Sequence, residues 1–275
     1  MSGKTDLHTH TNHSDGYYSP TELIKKAAEK EIEIISITDH DSVNGLREAK
    51  KTASELNIMV IPGVEISSDI RDTEVHLLGY FFDPENEELE HYLNFFREER
   101  IKRANRIVEK LNILGLPLLM EDILKQAANS AIGRPHIAQA LLAKNLVKSY
   151  YEAFYKYLGN HAPAYERKVH LSPQSAFKII SDAGGLSFIA HPGNMPEILI
   201  KELIDAGVDG IEVVHPSHSK DKVRFYKGIV NEYFLLESGG SDFHGGKRDD
   251  EANFGKFFTT PKYVDAMQSR LLRID

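Results

Sequence analysis

The chain has 275 residues, 41% hydrophobic and 27% charged, with a formal net charge of −8 and no cysteine. That length holds one large domain, or one domain with an insertion, and the composition is that of an ordinary soluble globular protein. Disulfides and thiolate metal sites are excluded, no apolar run could cross a bilayer, and residues 1–6 are too short and polar for a signal peptide, which makes the cytoplasm the default compartment.

The negative balance also argues against stable binding of duplex DNA. It leaves a small anionic substrate open, because carboxylates gathered around cations enter the same count.

A first strand, residues 4–8, runs into His8-Thr9-His10, with Asp15 five residues further on. Two histidines one residue apart at a strand end can aim ring nitrogens at one position, and a carboxylate adds a harder donor. Alone the pattern is weak, since most histidine pairs are solvated or packed. Ser19-Pro20-Thr21-Glu22 then starts a helix, followed at helical spacing by Leu23, Ile24, Ala27 and Ala28. A buried strand at 33–38 ends in Thr38-Asp39-His40-Asp41. A helix at 45–56 leads to a strand at 59–66 that carries Glu65, and a strand at 74–80 carries His76. Strands alternating with helices predict parallel pairing in an α/β layer or barrel, with ligands gathered at the carboxyl ends of the strands.

From 85 to 169 the rhythm breaks into helices, at about 87–114, 120–128, 135–144 and 150–158. This stretch reads as a helical insertion capping the site, and 1–84 with 170–275 as the discontinuous barrel. The first of these helices carries Arg97, Arg100, Lys102, Arg103, Arg106 and Lys110 against Glu98, Glu99 and Glu109. A solvated face laced with i,i+4 pairs accounts for most such charges, but the local balance is basic in an acidic chain. The alternation resumes with a helix at 173–183 and a strand at 186–190 ending in His191-Pro192-Gly193. A helix at 197–206 and a strand at 210–214 follow, ending in His215-Pro216-Ser217-His218. After one more helix, a strand at 234–237 leads into Ser241-Asp242-Phe243-His244. A short strand at 256–260 and a helix at 261–272 close the chain.

His8, His10, His40, Glu65, His76, His191, Asp242 and His244 thus fall at or near predicted strand ends. A carbonyl-satisfied core histidine explains one or two of these, not the set. Carboxylates and imidazoles converging on one mouth would repel or stay unsatisfied without cations between them. The economical reading is a multinuclear metal site with Glu65 bridging two ions, held by nitrogen and oxygen donors that suit manganese, iron or zinc.

These motifs, His8-Thr9-His10, Thr38-Asp39-His40-Asp41, Gly63-Val64-Glu65, His76, Ala190-His191-Pro192-Gly193 and Ser241-Asp242-Phe243-His244, resemble those of the PHP (polymerase and histidinol phosphatase) superfamily. The resemblance implies a distorted (β/α)7 barrel with two to three divalent ions. By that resemblance His8, His10, Glu65 and Asp242 would hold one ion, Glu65, His76 and His191 a second, and Asp15, His40 and His244 a third. Some family members have a histidine in place of Asp15. The insertion and its Gly133-Arg134-Pro135-His136 most resemble the nucleotide-directed branch. That branch includes 3′-phosphatases of nucleoside 3′,5′-bisphosphates and 5′-to-3′ exonucleases of short RNA.

The expected activity is therefore hydrolysis of a nucleotide phosphate ester by a metal-bridging hydroxide, with a 5′-3′ exonuclease on short 5′-phosphorylated strands as the alternative. His218, in competition with His215, is expected to contact the phosphate or protonate the leaving group, and Arg134 with His136 to bind substrate, the guanidinium gripping a second phosphate. Ser217-His218 as a hydrolase pair is disfavoured, because adjacent residues rarely form one. His13, His91, His161 and His170 are read as structural or exposed. Two rivals remain: metal-assisted C–N hydrolysis, whose late lysine ligand has no counterpart here, and a non-catalytic metal-stabilised partner-binding module.

Overall fold

The computed structural model describes residues 3–71, 73–127, 132–167, 169, 171–246 and 248–272. Strands β1 (Lys4–Thr9), β2 (Ile32–Ile37) and β3 (Met59–Ile70) are linked by α1 (Pro20–Glu29) and α2 (Leu46–Leu56). The start of α1 follows from its sequence. Ser19 Oγ accepts the Glu22 N–H at 3.3 Å, the Glu22 carboxylate accepts the Ser19 N–H at 2.8 Å, and Pro20 needs no partner at the first helical position. Next come β4 (Thr73–Tyr80), α3 (Glu87–Ile113), α4 (Met120–Ala127), α5 (Arg134–Ala143) and α6 (Tyr150–Ala153), which runs into a π-helical turn, Phe154–Leu158. The chain ends with α7 (Pro173–Asp182), β5 (Leu186–Ile189), α8 (Glu197–Asp205), β6 (Gly210–Val214), α9 (Lys220–Glu232), β7 (Leu236–Gly239) and α10 (Pro261–Leu271).

The seven strands pair in chain order. All neighbours are parallel except β4, which is antiparallel to both β3 and β5. Parallel pairing was the expectation; it holds elsewhere and fails at β4, and the reason is the connection. Ile70 pairs with Thr73, and a hairpin of that length cannot make the crossover of a dozen or more residues that a parallel pair needs. His76 therefore reaches the mouth from the amino-terminal half of its strand. On β3 the residues sharing one face climb from Ile61 through Gly63 to Glu65; on the reversed β4 the same climb reads Tyr80, Leu78, His76.

Past β7 the chain leans on β1. The Asp242 N–H donates to His8 O and the His10 N–H to Phe243 O, both at 2.9 Å, closing a distorted (β/α)7 barrel. A Cβ at Gly240 would lie 2.4 Å from the His8 nitrogen, so this approach requires glycine. The strand expected at 256–260 is reduced to a bridge between Thr259 and Thr5.

Two compact units divide the chain, Met1–Glu90 with His170–Asp275 and His91–Val169. The first turn of α3, with the buried Leu89, stays with the barrel unit, six residues beyond the boundary expected from the sequence. The helical unit has its own core, built on Ala104, Ile107, Leu111, Leu118, Ile123 and Leu141. Among the described residues no helix is long and apolar enough to cross a membrane.

In the barrel unit Tyr80 packs with Leu7, Ile61, Leu78 and Phe188, and its hydroxyl donates to Leu7 O at 2.9 Å. That carbonyl lies where the β1–β2 register shifts, between Asp6 and Thr9, just before the first candidate ligands. Tyr80→Phe leaves it buried without this donor and is expected to cost about 1–3 kcal/mol, measured by urea unfolding of the metal-free protein.

Candidate metal centre

Alternate residues of a strand share a face, so His8 and His10 present their rings together, with centroids 5.2 Å apart. Their Nε2 atoms lie 3.2 and 3.1 Å from Asp242 Oδ1 and 3.4 and 3.3 Å from Glu65 Oε2. Glu65 is the hub. Its Oε1 lies 2.8 Å from His76 Nδ1 and 3.0 Å from His191 Nε2, and its Oε2 3.1 Å from His40 Nδ1. One carboxylate, 1% exposed, thus meets five imidazoles. Beside it, Asp15 Oδ1 stands 3.2 Å from His244 Nε2, 3.8 Å from His10 Nδ1 and 3.9 Å from His40 Nε2.

All nine expected ligands are brought together. Donor atoms within 4.8 Å of one another form the groups His10–Asp15–His40–His244, His8–Glu65–His191, His8–His10–Asp242 and His40–Glu65–His76. Of the sets implied by resemblance, the first two meet at Glu65, which turns one oxygen to His8 and His10 and the other to His76 and His191. Asp15 gathers the third set and adds His10.

The donors fit divalent ions. Buried His8 Nε2, His10 Nε2, His40 Nδ1, His244 Nε2, Asp15 Oδ1 and Glu65 Oε2 have no hydrogen-bond partner among the described residues. Orphaned polar atoms on this scale are rare and costly, and these face one another. Burial would raise the Glu65 carboxyl, but His40, His76 and His8 hold it well below the usual carboxylate range. Burial opposes charge on His8, yet Glu212, Asp242 and Glu65 raise it well above the ordinary histidine value. Burial pushes His40 down to about 3, and burial with His244 lowers His10. Carboxylates draw positive charge onto some rings and drive it off none; burial and neighbouring imidazoles do that. Cations would supply the charge without titrating.

Several residues that hold this arrangement escaped the sequence reading. Asp39 accepts the Thr11 N–H at 2.7 Å and the Thr11 and Ser14 hydroxyls at 2.5 Å, shaping the loop that carries Asp15. Asp250 accepts the His244 and Gly246 N–H groups, the latter at 2.7 Å. Arg248 pairs with Asp15 Oδ2. Asp6 accepts the Ser241 N–H at 2.9 Å, and burial raises its carboxyl to about 7. Glu212 is fully buried beneath His8. The available signal was an acid inside an apolar strand, Gly-Ile-Glu-Val-Val.

The remaining expected residues are placed as follows. His215 is buried with Nε2 3.4 Å from Asp242 Oδ2, while its Nδ1 accepts the Ser217 N–H at 3.1 Å. His218 is buried with both nitrogens used: Nδ1 donates to Val213 O at 3.0 Å and Nε2 accepts the Gly193 N–H at 3.1 Å. In the helical unit, Arg134 opens α5 and donates to Leu158 O and Asn160 Oδ1, with its guanidinium 5.6 Å from the Tyr165 ring centroid. His136 is buried and its Nδ1 accepts the Gly133 N–H at 3.1 Å, a cap for the same helix. His13 is half-buried, His91 and His161 are exposed, and His170 lies outside the described residues.

Residues 6–167 match the family model of the PHP domain. The chain is 36% identical over 246 residues to the 3′,5′-nucleoside bisphosphate phosphatase of Chromobacterium violaceum, covering 87% of this chain and 86% of that protein. It is 34% identical over 250 residues to a 5′-3′ exoribonuclease of Haemophilus influenzae, covering 89% and 91%. A solved Bifidobacterium adolescentis structure, assigned to the metal-dependent phosphoesterases, superimposes with a TM-score of 0.86 at 29% identity over 96% of this chain and 95% of that one. Barrel, donor cluster and relatives together define a metal-dependent phosphoesterase. The chain belongs to the PHP domain family.

Elemental analysis of protein purified without chelator is expected to find more than one transition-metal ion per chain. Asp242→Ala should lose metal and nearly all hydrolysis while staying folded, because it removes a donor and no core packing. Wild-type turnover in that variant would exclude Asp242 as a ligand.

Proposed function

We propose that the enzyme removes the 3′-phosphate of a nucleoside 3′,5′-bisphosphate, and that the helical unit carries a phosphate-binding group of its own. The observation that carries this is a cationic cluster in that unit. Arg103 Nε donates to Glu166 O at 2.9 Å, while Arg106 Nε and Lys110 Nζ lie 3.1 and 2.7 Å from the Glu166 carboxylate. Arg134 sits over the adjoining Tyr165. Arg106 and Lys110 share the one Glu166 carboxylate, a local balance that suits an anionic ligand, and Arg134 stands at a helix N-terminus that favours the same charge. The Chromobacterium violaceum relative, named for that activity, supports the choice.

Divalent ions held by His8, His10, Asp15, His40, Glu65, His76, His191, Asp242 and His244 would neutralise phosphoryl charge and acidify water. The chain itself must provide a proton for the leaving alkoxide. His215 suits that role better than His218. The Ser217 N–H occupies His215 Nδ1, so Nε2 carries the proton and faces Asp242. His218 has no nitrogen to spare, and burial lowers its pKa. Ser217 bonds to His215 rather than His218, which makes the pair a turn and not a nucleophile with its base.

His215→Gln is expected to slow hydrolysis of a nucleotide about a hundredfold or more, with little effect on p-nitrophenyl phosphate, whose leaving group needs no proton. Similar losses on both esters would remove His215 from the acid role.

The alternative, a 5′-3′ exonuclease of short 5′-phosphorylated strands, is favoured by the Haemophilus influenzae relative. A manganese assay of nucleoside monophosphates, 3′,5′-bisphosphates, short 5′-phosphorylated RNA and histidinol phosphate separates the two by kcat/KM. In either case Arg134→Ala is expected to reduce kcat/KM about thirty- to a thousand-fold on substrates with the second phosphate, the equivalent of roughly 2–4 kcal/mol. Hydrolysis of p-nitrophenyl phosphate should barely change. An equal loss on both would mean that Arg134 supports the fold through Leu158 and Asn160.

A further inference from the structure

Glu212 belongs to none of the ligand groups, yet both of its oxygens are committed to ligand-bearing residues. Oε1 lies 2.9 Å from His8 Nδ1, and Oε2 accepts the His191 N–H at 2.6 Å. Its side chain is 0% exposed, and its strand neighbours Ile211 and Val213 are also fully buried. A carboxylate in such surroundings is costly unless its partners compensate.

Each contact sets something a metal centre needs. A carboxylate only accepts, so Nδ1 of His8 carries a proton and Nε2 turns its lone pair toward Glu65 Oε2 and Asp242 Oδ1, at 3.4 and 3.2 Å. His191 stands at φ +24°, a backbone region that residues with side chains rarely occupy. The bond to its N–H holds it where Nε2 meets Glu65 Oε1 at 3.0 Å. The rings of His8 and His191 lie 5.6 Å apart and 22° from parallel, each with Nε2 near one oxygen of Glu65. Asp209 gives the contrast within the same barrel. It accepts the Ser187 N–H and hydroxyl, at 2.8 and 3.2 Å, a residue outside the cluster.

We propose that Glu212 is a positioning residue coupling two ion positions, one oxygen fixing the tautomer of His8 and the other the backbone of His191. The proposal rests on His8 and His191 being ligands, and its test separates the two ideas. Full-length wild-type protein and Glu212→Gln are stripped with chelator and titrated with zinc. Glutamine keeps one acceptor oxygen and presents an N–H at the other position, so it cannot satisfy both partners in their present form. Zinc affinity is expected to fall about ten- to a hundredfold. Circular dichroism and thermal unfolding of the metal-free variant should stay close to wild type.

A wild-type chain that binds no zinc would sink the metal-centre reading itself. Wild-type binding with unchanged affinity in Glu212→Gln would sink only the role of Glu212. Should the variant fail to fold, the zinc-loaded wild-type protein still decides the matter by nitrogen-15 NMR of its histidines. A proton on His8 Nδ1 is expected, and one on Nε2 overturns the proposal.

Discussion

A carboxylate with almost no solvent, set among five imidazoles, is the constraint on which the barrel mouth depends. Glu65 cannot keep its charge there on hydration, and what replaces water must approach from several sides at once. β3 has to be long enough to lift Glu65 above the apolar floor. The β3–β4 hairpin then returns His76 two strand positions away, opposite Ser67. The seam between β1 and the segment after β7 brings His8, His10 and Asp242 to the same point. An open sheet would leave Asp242 too far from β1 for one oxygen to lie within about 3 Å of both rings.

Around this hub a second group of acids acts on the backbone. Asp6, Asp39, Glu212 and Asp250 each accept main-chain N–H groups from loops or strand ends that carry donors. Bonds of this charge-assisted kind are short and directional. Loops are the mobile parts of most barrels, and here they present much of the donor set. Rigidity comes from acids that do not themselves face the cluster.

Much of the centre was legible because metal chemistry restricts residue types. Neutral imidazoles and carboxylates that recur after apolar strands seldom do so for any purpose but holding cations, which singled out eight residues; Asp15 joined them from its place just after His8-Thr9-His10 and from the family resemblance. The orientation of β4 was not legible, because periodicity reports which face a residue takes and not the direction of its strand. The distance of only two residues between Ile70 and Thr73 was the clue, hidden by the early end, at residue 66, assigned to β3. The supporting acids were obscured for a different reason. Asp39 lay inside a motif that drew attention to His40, and Asp250 in a run of acids resembling a solvated loop. Arg134 and His136 were singled out by position, but the sequence could not show that His136 caps its own helix. The sequence put His218 ahead of His215; the order proposed above depends on which ring nitrogens the following turn occupies, which no sequence pattern reports.

Two residues of the cluster, His191 and Asp242, occupy left-handed backbone, at φ +24° and +51°. Aspartate, asparagine and histidine enter that region more readily than other residues with side chains, and β-branched or bulky ones scarcely do. The choice of a metal ion bound at these positions would therefore be governed by the peptide as well as by the donor atom. An engineer wishing to shift the centre toward softer ions would have to rebuild the turn before changing the side chain.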